Sequence, residues 1–194
     1  MPKVVDHEAR RHELAAAVWR VILRQGLGGV SIRDVAKEAD WSSGALRHYF
    51  TTRDELLSFA LRLVVDRLTE RLSGGPRGRS PRDAVRHILR EILPLDAARR
   101  EETAIWFAFA TRSLAEPRIA GELELVFVGT RDLCRRIAHD LDRYGNLAPG
   151  RDPDQEAARL HALIDGLTLQ GFLGHLDTDA IDAILDTHLA ELIP

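Results

Sequence analysis

The fold of this chain is decided by the stretch Ser31-Ile32-Arg33-Asp34-Val35-Ala36-Lys37-Glu38-Ala39-Asp40-Trp41-Ser42-Ser43-Gly44-Ala45-Leu46-Arg47-His48-Tyr49-Phe50. Ser31, followed three residues later by Asp34, is typical of a helix N-terminus, and the apolar residues after it recur at helical spacing. The segment Asp40-Trp41-Ser42 is long enough only for a sharp turn. Ser42 can then cap a second helix, in which Leu46 faces inward. The stretch therefore predicts a helix-turn-helix.

The second of these two helices is the one that we expect to contact DNA. Its inward positions leave Ser43, Gly44, Arg47 and His48 on the outer face. Small residues at the start of a helix allow a close approach to DNA, and Arg and His one turn later can reach base edges in the major groove. We therefore predict that this helix reads the sequence of a DNA duplex.

Residues 7–57 resemble the DNA-binding domain of the TetR family of bacterial transcriptional regulators. Gly44 and the pair Tyr49-Phe50 stand at the family's glycine and aromatic positions, and Ser31 stands at its capping threonine. Arg53 stands at a lysine that opens the family's fourth helix and usually contacts a phosphate. With the basic residues around the motif, the predicted DNA-binding set is Ser31, Arg33, Ser42, Ser43, Gly44, Arg47, His48, Tyr49 and Arg53.

Two residues of the turn depart from the family pattern. Asp40 stands where the family usually has glycine, and Trp41 stands where it has valine. Because aspartate tolerates the left-handed backbone conformation better than most residues, we expect the turn to persist. For Trp41 two interpretations stay open: a wedge between the two motif helices, or a contact to DNA.

The composition is that of a soluble globular protein, with 45% hydrophobic and 29% charged residues among 194. The single cysteine, Cys134, excludes an intramolecular disulfide. The longest apolar run near the N-terminus, from Leu14 to Trp19, is far shorter than a membrane span of about 20 residues. These features predict a cytoplasmic protein that does not enter a membrane. The net charge of −3 does not by itself favour a nucleic-acid binder, so that prediction depends on the motif.

Helical patterns continue through the rest of the chain and predict an all-α protein of about nine helices. We expect a helix-turn-helix domain over residues 1–55 and a regulatory, ligand-binding and dimerisation domain over residues 56–194. The glycine-rich segment Gly74-Gly75-Pro76-Arg77-Gly78-Arg79-Ser80 separates the fourth helix from the fifth. The sixth helix is expected to end near Glu116-Pro117. The eighth is expected from about Pro153 to about Leu176, and Asp177 caps the last.

The second domain resembles the C-terminal domain of the BetI-like branch of the same family around Trp106-Phe107-Ala108-Phe109 and around residues 163–167. The consecutive aromatic side chains point in several directions, so they fit either a core or the lining of a cavity. Asp165 lies in an apolar helix, where a buried carboxylate needs a partner, either another helix or a ligand. The predicted ligand-binding set is Trp106, Phe107, Phe109 and Asp165, and its lining suits an apolar or aromatic molecule.

The last two helices are predicted to form a dimer interface. They combine wide apolar surfaces with glycines that suggest the close approach of another backbone. Pairing of these helices in two subunits would give a four-helix bundle. The residues expected at this interface are Leu160, Ile164, Leu167, Gly171, Gly174 and Leu185.

The resemblance implies a homodimeric transcriptional repressor that binds a palindromic double-stranded DNA operator and is released from it by a small-molecule effector. Two other classes stay open: a helical protein that binds small molecules without recognising an operator, and an enzyme built on helices. No histidine pairs with another at metal-ligand spacing, and no nucleophile motif is present. We therefore expect no metal, no cofactor and no catalytic residue.

Overall fold

A computed structural model describes residues 7–73, 80–113 and 117–194, apart from the side chains of residues 7–9, 11, 12 and 117–127. These residues form nine α-helices and no strand, which confirms the predicted all-α fold. The helices are α1 (His7–Gln25), α2 (Ile32–Glu38), α3 (Ser43–Arg47), α4 (Arg53–Ser73), α5 (Pro81–Ile92), α6 (Ala97–Ser113), α7 (Pro117–Arg143), α8 (Pro153–Phe172) and α9 (Thr178–Leu192).

Side-chain caps begin several of these helices, among them the cap predicted at Asp177. The N–H of Glu55 donates to Thr52 Oγ1 at 3.1 Å, and the N–H of Thr52 donates to Glu55 Oε2 at 3.2 Å, so a reciprocal capping box opens α4. At α9, Asp177 Oδ1 accepts from the N–H of Ala180 at 2.8 Å. Because each cap satisfies N–H groups that have no partner within the helix, it fixes where the helix begins.

Three connections differ from expectation or lie outside the description. The loop after α1 contains a short 3-10 turn, Leu27–Gly29, which the sequence analysis did not predict. The eighth helix ends at Phe172, before the expected Leu176, since Gly174 turns the backbone into the left-handed region at φ 77°. Residues 74–79, in the predicted glycine-rich break, and residues 114–116, at the predicted end of the sixth helix, lie outside the described residues.

The chain divides into two compact units. The first comprises Met1–Asp66 and Ala104–Leu123, and the second comprises Arg67–Thr103 and Glu124–Pro194. The division therefore falls within α4, α6 and α7. The expected boundary between a DNA-binding and a regulatory domain, at residue 55, stays a prediction about function.

In the first unit, α1 supplies the centre of the core. Leu14, Val18 and Ile22 are at most 1% exposed, and Val35 of α2 is fully buried. The indole N–H of Trp19 donates to the carbonyl oxygen of Ala60 at 3.0 Å, which ties α1 to α4. These apolar side chains of α1 therefore form the support on which the helix-turn-helix rests.

In the second unit, α5, α7, α8 and α9 share one hydrophobic core. Its members include Leu89 of α5, Leu160 of α8 and Leu185 of α9, all fully buried. Across α5 and α9, the guanidinium of Arg86 binds the carboxylate of Asp186, with Nη2 and Oδ2 3.0 Å apart. The last two helices are thus packed against α5 of their own chain.

Candidate nucleic-acid interface

The turn of the helix-turn-helix depends on Asp40. Its φ of 58° is the only positive value at a non-glycine residue among those described, which confirms the predicted left-handed conformation. The chain reverses there, and the N–H of Trp41 donates back to the carbonyl oxygen of Ala36 at 2.8 Å. This bond ends α2 and aims the following residues toward the start of α3.

Although α3 has only five residues, it is anchored at both ends. At its start Ser42 Oγ accepts from the N–H of Ala45 at 3.1 Å, which confirms the predicted cap. At its end Leu46 is fully buried, and the Phe50 ring packs against Phe59 with centroids 4.9 Å apart. An isolated helix of this length would not be stable, so packing and capping hold its orientation.

The outer face of α3 is open to solvent. Ser43, Gly44, Arg47 and His48 are all exposed, so the structure brings together the four residues predicted to face DNA. A methyl group added at Gly44 would meet only Ser42 Oγ, at an ordinary 3.9 Å, and Gly44 does not have a positive φ. The chain's own packing therefore does not require glycine at this position.

The other predicted DNA contacts have varied surroundings. Arg33 is exposed on α2, and Tyr49 is partly exposed after α3. Ser31 Oγ accepts from the N–H of Asp34 at 3.1 Å and also donates to that carboxylate, so its hydroxyl is used in both directions within the chain. Ser42 uses its hydroxyl oxygen as an acceptor in the α3 cap, which leaves its O–H proton available to a phosphate.

Arg53 has a function inside the chain that the sequence analysis missed. Its Nε donates to the carbonyl oxygen of Val30 at 2.9 Å, and Nη2 donates to that of Leu27. The guanidinium therefore fastens the 3-10 turn and the residue after it to the start of α4. Only its remaining N–H donors are free for a phosphate, and the predicted phosphate contact stays a prediction.

The Trp41 ring lies in a cluster with Tyr49 and Arg10. Trp41 and Tyr49 meet edge to face, with ring centroids 5.5 Å apart. The guanidinium carbon of Arg10, from α1, lies 5.4 Å from the centroid of the Trp41 ring. Sequence analysis placed Trp41 either between the motif helices or against DNA. The contacts found for its ring connect the end of α3 with α1.

Two other arginines of α1 share one carboxylate within the chain. Arg20 Nε and Arg24 Nη1 lie 2.7 and 2.9 Å from the two carboxylate oxygens of Glu38. The hydrogen bond from Arg20, followed by that from Arg24, lowers the pKa of Glu38. Each of these cations therefore contributes less to the field at the surface predicted to face DNA than an unpaired arginine would.

The predicted ligand-binding residues fall into both units. Phe109 is 1% exposed and belongs to the core, whereas Trp106 and Phe107 are partly exposed and meet edge to face at 4.7 Å. Asp165 lies on α8, in the second unit, and its side chain is 46% exposed, so the expectation of a buried carboxylate was wrong. Partial desolvation raises the pKa of Asp165, and His161, 3.8 Å away, opposes this effect.

The predicted interface residues are used within the chain itself. Leu160, Ile164, Leu167 and Leu185 are at most 3% exposed, so they have almost no surface left to bury against a partner. The sequence analysis assigned them to the wrong face, because amphipathic spacing does not say which surface an apolar stripe meets.

The two glycines in that predicted set also have intrachain explanations. At Gly171, an added Cβ would lie 2.6 Å from Ile181 Cδ1 and 3.2 Å from Pro94 Cγ. The approach that this glycine permits is therefore to side chains of the same chain. Gly174 instead supplies the left-handed residue after α8, with φ 77°.

Within the part of the chain that the structure describes, no group of three or more His, Cys, Asp or Glu side chains could hold a metal ion. Over the same ranges, none of the helices combines the length and the apolar character that a membrane span needs.

Comparison with known proteins places this geometry among transcription regulators. Residues 14–58 match the family described as bacterial regulatory proteins, tetR family, and residues 81–194 match the BetI-type transcriptional repressor, C-terminal. The HTH-type transcriptional regulator PksA of Bacillus subtilis is 40% identical over 99% of this chain and 94% of its own length. The HTH-type transcriptional regulator BetI of Burkholderia cenocepacia is 34% identical over 93% of this chain and 92% of its own length. A transcriptional regulator of Rhodococcus sp. RHA1 superposes with a TM-score of 0.76 at 33% identity, covering 95% of this chain and 99% of that one.

Proposed function

Because the chain belongs to the TetR family of bacterial transcriptional regulators, with a BetI-type C-terminal region, we propose that it is a homodimeric repressor released from a palindromic operator by a small-molecule effector. The observation that carries this proposal is the outer face of α3. Four exposed residues there, on a helix fixed by a cap and a buried leucine, present small side chains and hydrogen-bond donors to a groove.

In the proposed complex, Arg47 and His48 contact base edges, and the start of α3 approaches the groove floor. Arginine reads guanine through two parallel hydrogen bonds to O6 and N7, so Arg47 supplies most of the sequence preference. Arg33 and Tyr49 contact the phosphates on either side. Ser42 can donate its hydroxyl proton to a phosphate while its oxygen caps α3.

A homodimer is proposed because one short helix contacts too few base pairs to select an operator. Two-fold symmetry would place two copies of α3 one helical turn apart, about 34–36 Å, or a multiple of that distance. Leu169 on α8 is 41% exposed, Leu173 directly after α8 is 54% exposed, and Ile184 on α9 is 38% exposed. Gly166, on the same face of α8, is exposed and has open space around it. We propose that these exposed residues form the outer face of α8 and α9 and that this face is the dimer interface.

The proposed effector is an apolar or aromatic molecule that contacts Trp106 and Phe107. Their partial exposure and edge-to-face contact support this assignment, whereas Phe109 is better explained as core. Asp165 is proposed as a residue of the outer face of α8, since 46% of its side chain is exposed in the single chain. An effector lowers operator affinity only if it binds the released conformation more tightly, and typical coupling is about 1–3 kcal/mol.

The test is selection of duplexes from a random-sequence library by the purified chain, followed by titration of the enriched duplex and a scrambled one. We expect a palindrome with two half-sites, bound at least about 1,000-fold more tightly than the scrambled duplex at physiological salt. If selection enriches no sequence while the chain still binds small aromatic molecules, the alternative of a helical binding protein without operator recognition is correct. Enrichment of a non-palindromic site by a monomer would reject the homodimer.

A further inference from the structure

We propose that α1 adds a phosphate contact beside the recognition helix: the guanidinium of Arg10, positioned on the Trp41 ring, binds the DNA backbone, and Trp41 is the positioning residue for both Arg10 and Tyr49. This inference rests on the proposed DNA-binding function. It adds one residue, Arg10, that neither the sequence motif nor the outer face of α3 indicates.

The geometry joins three parts of the first unit around one indole. Trp41 directly precedes Ser42, the residue that caps the start of α3. Tyr49, which follows α3, meets the indole edge to face with centroids 5.5 Å apart and planes at 60°. Arg10 approaches the same indole from α1, with its guanidinium carbon 5.4 Å from the ring centroid.

The charge of Arg10 is available to an external anion. Among the residues that the structure describes, no carboxylate forms an ion pair with Arg10, whereas Arg20 and Arg24 of the same helix share Glu38. A contact with a ring face attracts the cation without using its N–H groups, so all five donors can still bind phosphate oxygens. The ring therefore restricts the guanidinium and keeps it competent for binding.

The residue type at position 41 matters for this arrangement. An aliphatic side chain there could fill space in the turn, but it has no ring face to attract a guanidinium. The competing interpretation is that Trp41 only packs the turn and that Arg10 follows it without contacting DNA. The two interpretations differ in the salt dependence of binding, because each phosphate contact changes the slope of log K against log salt by about 0.9.

The experiment measures the affinity of the full chain for the duplex enriched by selection, over a series of NaCl concentrations. Arg10→Ala should weaken binding roughly tenfold and reduce the slope by about 0.9 per chain, with no change in base preference. Arg24→Ala is the matched control, since it removes an exposed arginine of the same helix that already pairs with Glu38. Its slope should equal that of the parent chain.

Trp41 is tested by a double-mutant cycle with Arg10. In a Trp41→Val background, Arg10→Ala should have little further effect, while a Trp41→Phe background, which keeps a ring face, should preserve most of it. An Arg10→Ala slope equal to the parent's overturns the phosphate contact. An undiminished Arg10→Ala effect in the Trp41→Val background overturns the positioning by Trp41.

Two further outcomes keep this inference separate from the proposed function. If Trp41→Val fails to fold, as circular dichroism would reveal, the Trp41→Phe pair and the single Arg10→Ala variant still decide the question. If the parent chain itself selects no duplex, the proposed function fails before the inference is reached. If the parent chain selects a duplex and Arg10→Ala binds it with the same affinity and salt slope, the inference is rejected and the proposed function is not.

Discussion

The Arg71 guanidinium donates two hydrogen bonds to the Glu102 carboxylate, from Nη1 to Oε1 at 2.8 Å and from Nη2 to Oε2 at 2.7 Å. Arg71 lies in the last turn of α4, and Glu102, with 7% of its side chain exposed, lies on α6. Arg71 Nε also binds Glu91 of α5 at 2.9 Å, and Arg99 Nη2 binds the same carboxylate at 2.9 Å. The network thus ties the end of α4 to α5 and α6 within the second unit.

Glu102→Gln should lower the free energy of unfolding by about 1–3 kcal/mol, the usual cost of losing a hydrogen bond to a charged group. The substitution leaves the Arg71 charge partly buried with one carboxylate fewer, and loss of one partner of a buried pair is costly. Urea denaturation measures the change. Glu101→Gln, at an exposed neighbouring position, should stay within about 0.5 kcal/mol of the parent. Equal effects of the two substitutions would show that the network adds no stability.

Gly44→Ala should stabilise the free protein and weaken its binding to DNA. Alanine is favoured over glycine in a helix by up to about 1 kcal/mol, and the added methyl group meets only Ser42 Oγ at 3.9 Å. Against DNA the same methyl group would hinder the close approach of α3. Thermal unfolding should therefore show a higher midpoint temperature, and operator titration should show a lower affinity. Unchanged affinity in a more stable variant would mean that α3 does not approach DNA at this residue.

Arg47→Ala should cost about 1–3 kcal/mol of operator binding and relax the base preference at one position in each half-site. Arg33→Ala, which removes an exposed cation from α2, should instead weaken all duplexes alike and reduce the salt slope. Repeated selection with each variant compares their preferred sequences. The same loss of preference in both variants would reject the assignment of Arg47 to a base edge.

Leu173→Asp should convert the proposed dimer into a monomer without unfolding the chain, because the leucine is 54% exposed in the single chain. Gly171→Leu should instead destabilise the fold, since its side chain would meet Ile181 and Pro94. Sedimentation velocity and thermal unfolding separate the two effects. Leu23→Asp on α1 is the control, as a leucine 45% exposed outside the proposed interface. A dimeric Leu173→Asp variant would place the interface elsewhere.

His188 should make the chain less stable in mild acid. Burial lowers the pKa of His188 below its ordinary 6.5; Arg159 and Arg151 act in the same direction, and Glu156 and Glu191 oppose them. Because the folded state resists protonation, this contribution to stability is complete above the unfolded pKa and is lost as pH falls below about 6.5.

The measurement is the urea midpoint at about pH 7.5 and about pH 5.5, in the parent chain and in His188→Gln. The parent should lose more stability than the variant between the two values, because glutamine has no proton to gain. An identical loss in both chains would assign the acid sensitivity to other groups.

Local sequence was sufficient for the helices and for the exposed face of α3. The caps at Ser42 and Thr52, the left-handed Asp40 and the exposed face of α3 all depend on interactions within a few residues. Such interactions are visible in spacing and residue type, because hydrogen bonds of a cap or turn join atoms that the chain already holds close together. The family, too, could be predicted from this one continuous stretch.

Sequence spacing could not show which partner each side chain meets across the fold. Arg53 binds the carbonyl of Val30, 23 residues earlier, and Arg71 binds Glu102, 31 residues later. The apolar stripe of α8 indicated a buried face, but only packing against α5, α7 and α9 made that face the core of its own chain rather than a dimer interface. The reason is physical: hydrophobic burial is non-directional, so spacing marks the surface to be buried and the packed chain determines what covers it.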